Sequence, residues 1–404
     1  MILWWFTITT VPLPSMSGLL SAERIADAVH WRRQLHQHPE LAYREHQTSD
    51  FVAARLGEFG LDIHRGLAGT GIVGTLKRGT SPRTIGIRAD MDALPIEEKS
   101  GVAHSSQHGG VMHACGHDGH TAILLAAARA CAEIEDLDGT VHFIFQPAEE
   151  NEQGGKRMVD DGLFKLFPCD SIYGLHNWPA IPLGTYVARD GPILGAFAIF
   201  EITLTGRGCH GCFPHEGNDV VLAAGQLICA LHTIASRSVD PRQAAVVSAT
   251  QVHGGDTWNT LPDSCVIRGT TRWFDPQVGD TIERRMNELA QAIAAGYGCQ
   301  VQVRYERRIP ATINDPTAAE FIRTVASNSL PQLKRVDIEP STGSEDFAFM
   351  LEQVPGCYVL LGTGKLGDNP LLHSPQFDFN DAALPLGAAL WVEVVRSHLR
   401  VMSC

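Results

Sequence analysis

Three side chains that can bind a transition metal lie within six positions of one another in the segment MHACGHDGHTA, at 112–122. Cys115 and His117 are separated by one residue, and His120 follows closely. A thiolate and an imidazole placed just before an apolar helix can converge on one cation, and this donor pair suits zinc. The spacing therefore predicts a metal site at the start of a helix from about His120 to Ile134.

Further acidic and imidazole side chains follow apolar runs elsewhere in the chain. They are Asp90, Asp92, Glu149, Glu150, His176 and His373. The runs have the length of strands and alternate with helical patterns, which indicates an α/β sheet. Ligand-binding residues of such sheets gather beyond the carboxyl ends of the strands. We therefore expect these side chains to meet the cysteine and histidine cluster.

The candidate metal ligands form a mixed set of thiolate, imidazole and carboxylate. They are Cys115, His117, Glu150, His176 and His373. This set suits zinc and, less specifically, manganese, nickel or cobalt, whereas magnesium and calcium prefer oxygen. Five ligands exceed the needs of one tetrahedral zinc ion. The sequence therefore predicts two divalent metal ions, with Cys115 between them.

Several acidic and histidine side chains are expected to support this site. Adjacent acids at a strand end point in opposite directions, so one of Glu149 and Glu150 is expected to bind metal and the other to act as general base. Asp92 is expected to orient a ligand histidine or to cap a turn. His120 is expected to be structural, and His36 to lie on a solvated helix face.

The pattern between 193 and 309 reads β-α-β-β-α-β, which is typical of a small ferredoxin-like domain. It interrupts the α/β part, so 16–192 and 310–404 are predicted to form one metal-binding catalytic domain. The predicted fold class is α/β, a mixed sheet flanked by helices, with an inserted ferredoxin-like α+β domain. Residues 1–15 are apolar without a basic n-region, and we expect a loose tail rather than an export signal.

Composition and charge exclude several functions. The formal net charge of -13 argues against nucleic acid and anionic membrane partners. We find no run of roughly 18 apolar residues, so no membrane span is predicted. Ten cysteines are too sparse for a disulfide scaffold and favour the cytoplasm. A GxGxxG at Gly69, Gly71 and Gly74 precedes a strand pattern and therefore indicates a hairpin, not a dinucleotide site.

Six segments resemble the signature blocks of the aminoacylase and hippuricase family. They are RADMDALPIEE, MHACGHDGHTA, QPAEENEQGG, GLHNWP, GSEDFAF and LHSPQFDFND. This branch of the two-metal peptidases includes hippurate hydrolase and the indole-acetyl-amino-acid hydrolases. The resemblance implies a zinc-peptidase-like catalytic domain that uses a water between two metals. The implied reaction cleaves acetyl, benzoyl or indole-acetyl amino acids at the amide bond.

The resemblance also implies roles for individual residues. The implied metal ligands are Cys115, His117, Glu150, His176 and His373. Glu149 is implied to be the catalytic acid and base. The inserted domain is implied to be a lid through which the chain forms a homodimer or higher homo-oligomer. Within the lid, His210 is implied to bind the carbonyl oxygen of the amide, and Asn259 and Arg272 to meet the substrate carboxylate or the oxyanion.

The lid departs from the family pattern, because the usual GRGGHAAxPH appears as GRGCHGCFPH. Cys209, Gly211 and Cys212 are the departures, and they leave the shape of the substrate pocket open. A CxxC can form a regulatory disulfide or bind metal. Two other functions also stay open: a dipeptidase or carboxypeptidase at the same site, and a binding protein that has lost catalysis.

Overall fold

The computed structural model describes residues 20–150, 153–365 and 370–400. The chain divides into two compact units. The second unit consists of Pro192–Thr312 and Glu339–Ala348, and the rest of the chain forms the first unit. The sequence prediction places 339–348 in the catalytic domain, whereas this segment groups with the second unit. The predicted tail at 1–15 lies outside the described residues.

An eight-stranded mixed sheet forms the centre of the first unit. In spatial order its strands are Asp62–Leu67, Gly71–Arg78, Gly139–Gln146, Thr84–Asp90, Ser171–Pro182, Gly356–Gly364, Thr185–Val187 and Lys334–Arg335. The four strands from Gly139–Gln146 to Gly356–Gly364 in this order run parallel to one another. Their carboxyl ends therefore meet at one edge of the sheet. This arrangement confirms the predicted mixed α/β sheet.

Helices pack around this sheet. They are Ala22–Gln37, His46–Glu58, His117–Ala132, Gly154–Asp160, Leu163–Leu166, Pro316–Ser329 and Leu384–Leu399. The helix His117–Ala132 is buried except at Arg129 and Ala132. A helix that is apolar all round belongs in a core, and this one packs against Ala22–Gln37 and Leu384–Leu399. It begins three residues before the predicted start, so His117 itself belongs to its first turn.

The second unit has an antiparallel sheet of four strands with two long helices on one face. In spatial order the strands are Ala245–His253, Ser264–Trp273, Ala196–Thr205 and Gln300–Ile309, and the helices are Val220–Thr233 and Pro276–Gly296. Buried and less buried residues alternate along Ala196–Thr205, as expected for a strand with one covered face. This order confirms the predicted ferredoxin-like insertion.

A few short elements complete the two units. The strands Cys209–His210 and Thr260–Leu261 pair with each other in the second unit. The short elements at the passages of the chain between the units are Gly191–Leu194, Thr312–Asn314 and Ala348–Leu351.

One stretch of the described chain, Val220–Ser238, is long and apolar enough to cross a membrane by length and composition. It is not a continuous apolar run, because Gln226, His232 and Arg237 interrupt it. Ala223, Leu227 and Leu231 on this stretch are buried in the core of the second unit. A core helix of a folded domain passes the same test, so the stretch alone is weak evidence for a membrane.

Candidate metal centre and active site

A glycine turn places Cys115 next to the first residue of the helix His117–Ala132, the central helix. Gly116 precedes the helix with φ 95, a left-handed conformation that favours glycine. A Cβ atom at this position would lie only 2.3 Å from Oδ1 of Asn177. Only glycine therefore fits this turn, and the turn lets Cys115 and His117 face a common space.

The five predicted ligands meet in two groups that share Cys115. In one group Cys115 lies with His117 and His176, and in the other it lies with Glu150 and His373. Within each group the potential ligand atoms all lie within 4.8 Å of one another. The Cys115 Sγ atom is 3.3 Å from Nε2 of His176, and Nε2 of His373 is 3.2 Å from Oε1 of Glu150. A thiolate shared by two cations would require this arrangement.

A buried ring nitrogen without a hydrogen-bond partner tests whether the cluster fits a cation. Among the described residues, Nε2 of His117 is buried and makes no hydrogen bond. The Nδ1–H of His117 donates to Oδ1 of Asp92 at 3.3 Å, and that of His176 donates to the carbonyl of Asn177 at 2.7 Å. Nε2 is thus the nitrogen of each ring that remains for a metal ion. An orphaned buried polar atom is costly, so these residues fit divalent metal ions.

The electrostatics of the cluster also favour a cation. Burial, followed by the charges of Glu150, Glu149 and Asp90, raises the pKa of Cys115 well above its usual range. Burial lowers the pKa of His176 well below its usual range, which leaves this imidazole neutral. Excess negative charge beside a neutral imidazole is compensated when a divalent ion binds and displaces the thiol proton.

The two adjacent glutamates do not alternate as strand residues. The strand ends at Gln146, and Ala148 has φ 55, so Glu149 and Glu150 belong to a turn. Carboxylate oxygens of both glutamates lie within 4.8 Å of a ring nitrogen of His117. The expectation that they point in opposite directions is therefore wrong, because the alternation of a strand stops before them.

Asp92 joins this turn to the helix start. Its Oδ1 accepts the backbone N–H of Glu149 at 3.0 Å, and its Oδ2 accepts that of Glu150 at 3.0 Å. Since Oδ1 also accepts Nδ1–H of His117, one buried carboxylate contacts three residues of the cluster. These contacts are the ones that an orienting carboxylate makes.

Both ring nitrogens of His120 are already used. Its Nδ1–H donates to Oδ1 of Asp90 at 2.6 Å, and its Nε2 accepts the backbone N–H of Asn177 at 3.0 Å. His120 therefore has no free lone pair for a metal. It links the end of the strand Thr84–Asp90 to the strand that carries His176.

In the second unit, His210 and Asn259 are neighbours, whereas Arg272 lies apart from them. His210 pairs with Thr260 between the two short strands, and Asn259 accepts the backbone N–H of Gly211 at 2.6 Å. Arg272 lies near the far end of the strand Ser264–Trp273, about 26 Å along it from its start. Its guanidinium lies 4.1 Å above the ring of Phe197, and burial lowers its pKa.

The two cysteines beside His210 are free thiols in the structure. The Cys212 Sγ atom is 2.9 Å from Nδ1 of His210, and the backbone N–H of Cys212 donates to the same nitrogen at 3.2 Å. Cys209 is only partly exposed and lies on the strand before His210. Since Nδ1 of His210 receives two donors, its Nε2 carries the proton and can donate to a ligand oxygen.

A buried network of charged side chains lies behind the central helix, and the sequence analysis did not predict it. His36 is fully buried, so its predicted place on a solvated face is wrong. Its ring contacts Asp118 at 2.8 Å and Glu98 at 3.2 Å. Arg32, also fully buried, contacts Asp118 at 3.5 Å and two further aspartates. The spacing of Arg32 and His36 by one helical turn was the only available signal.

We expect the His36→Gln variant to lose a pH-dependent part of the stability. Burial disfavours the charged ring, but the charge and hydrogen bond of Asp118 outweigh it and raise the pKa of His36 from 6.5 to about 9. This stabilisation is fully present below pH 6.5 and is lost as the pH rises through about 9. It amounts to about 3 kcal/mol.

The measurement is urea unfolding of the wild type and the variant at pH 6 and pH 9.5. The stability difference between the two proteins should be large at the lower pH and should shrink at the higher one. Replacement of the exposed His30 by Gln serves as the control and should give the same small difference at both values. A pH-independent difference for His36→Gln would contradict the charged network.

An α/β sheet whose strand ends carry a buried cluster of thiol, imidazole and carboxylate groups is the frame of a metal-dependent hydrolase. The chain belongs to peptidase family M20/M25/M40, whose model matches residues 86–397. It is accordingly an amidohydrolase, which confirms the predicted enzyme class.

Similar proteins of named activity match most of the chain. The N-acetyl-L-cysteine deacetylase of Bacillus subtilis strain 168 is 40% identical over 354 residues, which are 87% of this chain and 83% of the relative. The hippurate hydrolase of Campylobacter jejuni is 35% identical over 370 residues, 91% of this chain and 96% of the relative. A crystal structure of a dinuclear metal-binding M20 peptidase from Bacillus subtilis superimposes with a TM-score of 0.82 at 33% identity, covering 93% and 99% of the two chains.

Proposed function

We propose that the enzyme hydrolyses the amide bond of N-acyl amino acids and releases a carboxylate and an amino acid. The observation that carries this proposal is the buried donor cluster around Cys115, which lies beside the carboxylate of Glu149. The activities for which two relatives are named, on N-acetyl-L-cysteine and on hippurate, support small N-acyl amino acids as the substrate class. Acetyl and benzoyl groups are therefore the first acyl groups to test, followed by indole-acetyl.

Two divalent metal ions fit the donor cluster. His117 and His176 would hold one ion and Glu150 and His373 the other, with Cys115 between them. Zinc suits this mixed set best, and manganese, nickel and cobalt are the other candidates. When bound, such ions polarise a carbonyl group and make a water molecule acidic.

Glu149 supplies the proton transfer in this proposal. Its carboxylate takes a proton from the attacking water and then delivers it to the nitrogen of the leaving amine. Asp92 fixes the backbone of Glu149 and the ring of His117, so it orients both groups without touching the substrate. Two of the proposed ligands, His117 and Glu150, and the base are thus held by one common carboxylate.

We propose that residues of the lid bind the carbonyl oxygen and the carboxylate of the substrate. His210 donates from Nε2 to the carbonyl oxygen on which negative charge develops, and Asn259 lies beside it. Arg272 has no carboxylate partner among the ion pairs of the described chain, which leaves its charge available for the substrate carboxylate. His210 and Arg272 lie far apart within one lid, and we propose that a homodimer supplies them from different subunits.

The enzyme is proposed to act in the cytoplasm. All nine cysteines that the structure describes are free thiols, as expected in a reducing compartment. Gel filtration of the purified protein tests the proposed dimer. A monomer would contradict the proposal that His210 and Arg272 reach one site from different subunits.

The deciding experiment is hydrolysis of a substrate panel with each candidate metal. The panel contains acetyl, benzoyl and indole-acetyl amino acids, together with unmodified dipeptides, and each is assayed with Zn, Mn, Ni and Co. We expect turnover of at least one N-acyl amino acid well above that of every dipeptide. Turnover of dipeptides alone would replace the proposal by a dipeptidase, and binding without turnover would indicate a protein that has lost catalysis.

We expect the His210→Ala variant to turn over its substrate about 100-fold more slowly, because removal of one oxyanion donor has an effect of that order. Metal content should stay at the wild-type level. His215→Ala is the matched control, since His215 is an exposed histidine on the same segment. Metal analysis by mass spectrometry accompanies the kinetics, and loss of metal in His210→Ala would refute the assigned lid role.

A further inference from the structure

A buried carboxylate that the proposed mechanism does not use lies behind the turn of Glu149. Glu45 is fully buried and stands directly before the helix His46–Glu58. It does not cap that helix with its side chain. Its carboxylate instead accepts hydrogen bonds from three groups in other segments.

All three contacts are hydrogen bonds that the carboxylate accepts. Oε1 accepts the backbone N–H of Ala148 at 2.9 Å and that of Tyr43 at 3.0 Å. Oε2 accepts the hydroxyl of Thr70 at 2.7 Å. Glu45 therefore ties the start of a helix, a loop between two strands and the turn of Glu149 together.

The two backbone groups bound by Oε1 share an unfavourable conformation. Tyr43 has φ 59 and Ala148 has φ 55, although both carry a Cβ atom. In this left-handed region the Cβ atom crowds the following carbonyl oxygen, so surrounding contacts must hold the residue there. One oxygen of Glu45 supplies such a contact to both residues.

The conformation of Ala148 decides where the next side chains point. Its N–H donates to Glu45, and the following two backbone N–H groups, of Glu149 and Glu150, donate to Asp92. Its carbonyl oxygen accepts the N–H of Gly154 at 2.9 Å. Three successive amides are therefore held by two buried carboxylates, and only one of these carboxylates, Asp92, also contacts a predicted metal ligand.

We propose that Glu45 is a positioning residue for Glu149, because its carboxylate holds Ala148 in the conformation that aims the base into the cluster. The inference rests on the proposed role of Glu149 as acid and base. It extends the active site to a residue that touches neither the metal ligands nor the substrate.

Replacement of Glu45 by Met removes every acceptor and keeps most of the volume. We expect kcat to fall by about 10-fold to 100-fold, since a small misplacement of a catalytic group has effects of this order. KM should change by less than about threefold, because the base acts in the transition state. Metal content at saturating metal should stay unchanged.

Two variants serve as matched controls. In Glu45→Gln the amide oxygen can still accept from Ala148 and Tyr43, and the amide N–H can donate to the Thr70 hydroxyl, so kcat should stay near the wild-type value. Burial raises the pKa of Glu45 to about 7, so removal of its charge is a modest change. Thr70→Val removes only the Oε2 contact and should also leave kcat within a few-fold.

Hydrogen exchange tests the anchor without any assay of hydrolysis. In the metal-loaded wild type, the amides of 148–150 should exchange slowly, and Glu45→Met should accelerate them whereas Glu45→Gln should not. Fast exchange in the wild type would overturn the proposal even if no variant folds. Equal loss of kcat in Glu45→Met and Thr70→Val, or in Glu45→Met and Glu45→Gln, would also overturn it. If the wild type hydrolyses no panel member, the proposed function fails, and exchange still decides the role of Glu45.

Discussion

Glu149→Gln is expected to lower kcat by about 10²–10⁴-fold, the usual contribution of general acid and base catalysis. The amide keeps the size of the carboxylate but can neither take a proton from water nor return it to the leaving nitrogen. Because the backbone N–H of Glu149 is held by Asp92, the turn should keep its conformation. Both metal ions should therefore remain bound, since Glu149 is not among the proposed ligands.

The measurement pairs steady-state kinetics on the best substrate of the panel with metal analysis of the same samples. Glu135→Gln is the control, because Glu135 is exposed and lies after the central helix. Retention of more than a tenth of the wild-type kcat would contradict the role of Glu149 as base. Loss of one metal ion would instead indicate that Glu149 is a ligand.

The donor cluster could be predicted from sequence because it follows a rule of sheet topology. Parallel strands end at the same edge, so polar residues that follow separate apolar runs meet in space. Glu150 and His176 are brought to Cys115 in this way from different strands. The details at the strand ends were less predictable. The strand Ser171–Pro182 continues past His176, because it keeps pairing with Gly356–Gly364 after its contact with Thr84–Asp90 ends at Gly174.

The supporting residues could not be found in the same way. His36 lies in a polar helical segment and Glu45 lies directly before one, and a sequence pattern assigns both positions to solvent, yet both residues are fully buried. Their burial depends on partners that are distant in the chain, such as Ala148 for Glu45 and Asp118 for His36. A local pattern of polar and apolar residues carries no record of such partners. Only the assembled fold shows that these charges are paired.

The turn of the two glutamates gives the same lesson at shorter range. Alternation along a strand predicts opposite directions, but Ala148 takes a left-handed conformation that no residue type in QPAEEN requires. Glu45 and Asp92 stabilise this conformation from outside the segment. A catalytic group placed by strained backbone therefore depends on residues that the motif itself does not contain.

Cys115→Ser is expected to remove metal before it changes anything else, because Cys115 is the member that both donor groups share. A serine hydroxyl is not ionised near neutral pH, whereas a cation deprotonates a thiol and binds the thiolate. Metal affinity should fall by more than the roughly 10–100-fold that loss of an outer-shell partner causes.

Dialysis against metal-free buffer followed by metal analysis should find the variant depleted while the wild type keeps two ions. Excess metal should then restore part of the activity. Cys229→Ser, at an exposed cysteine, is the control and should keep its metal. Two ions per chain in dialysed Cys115→Ser would contradict the shared thiolate.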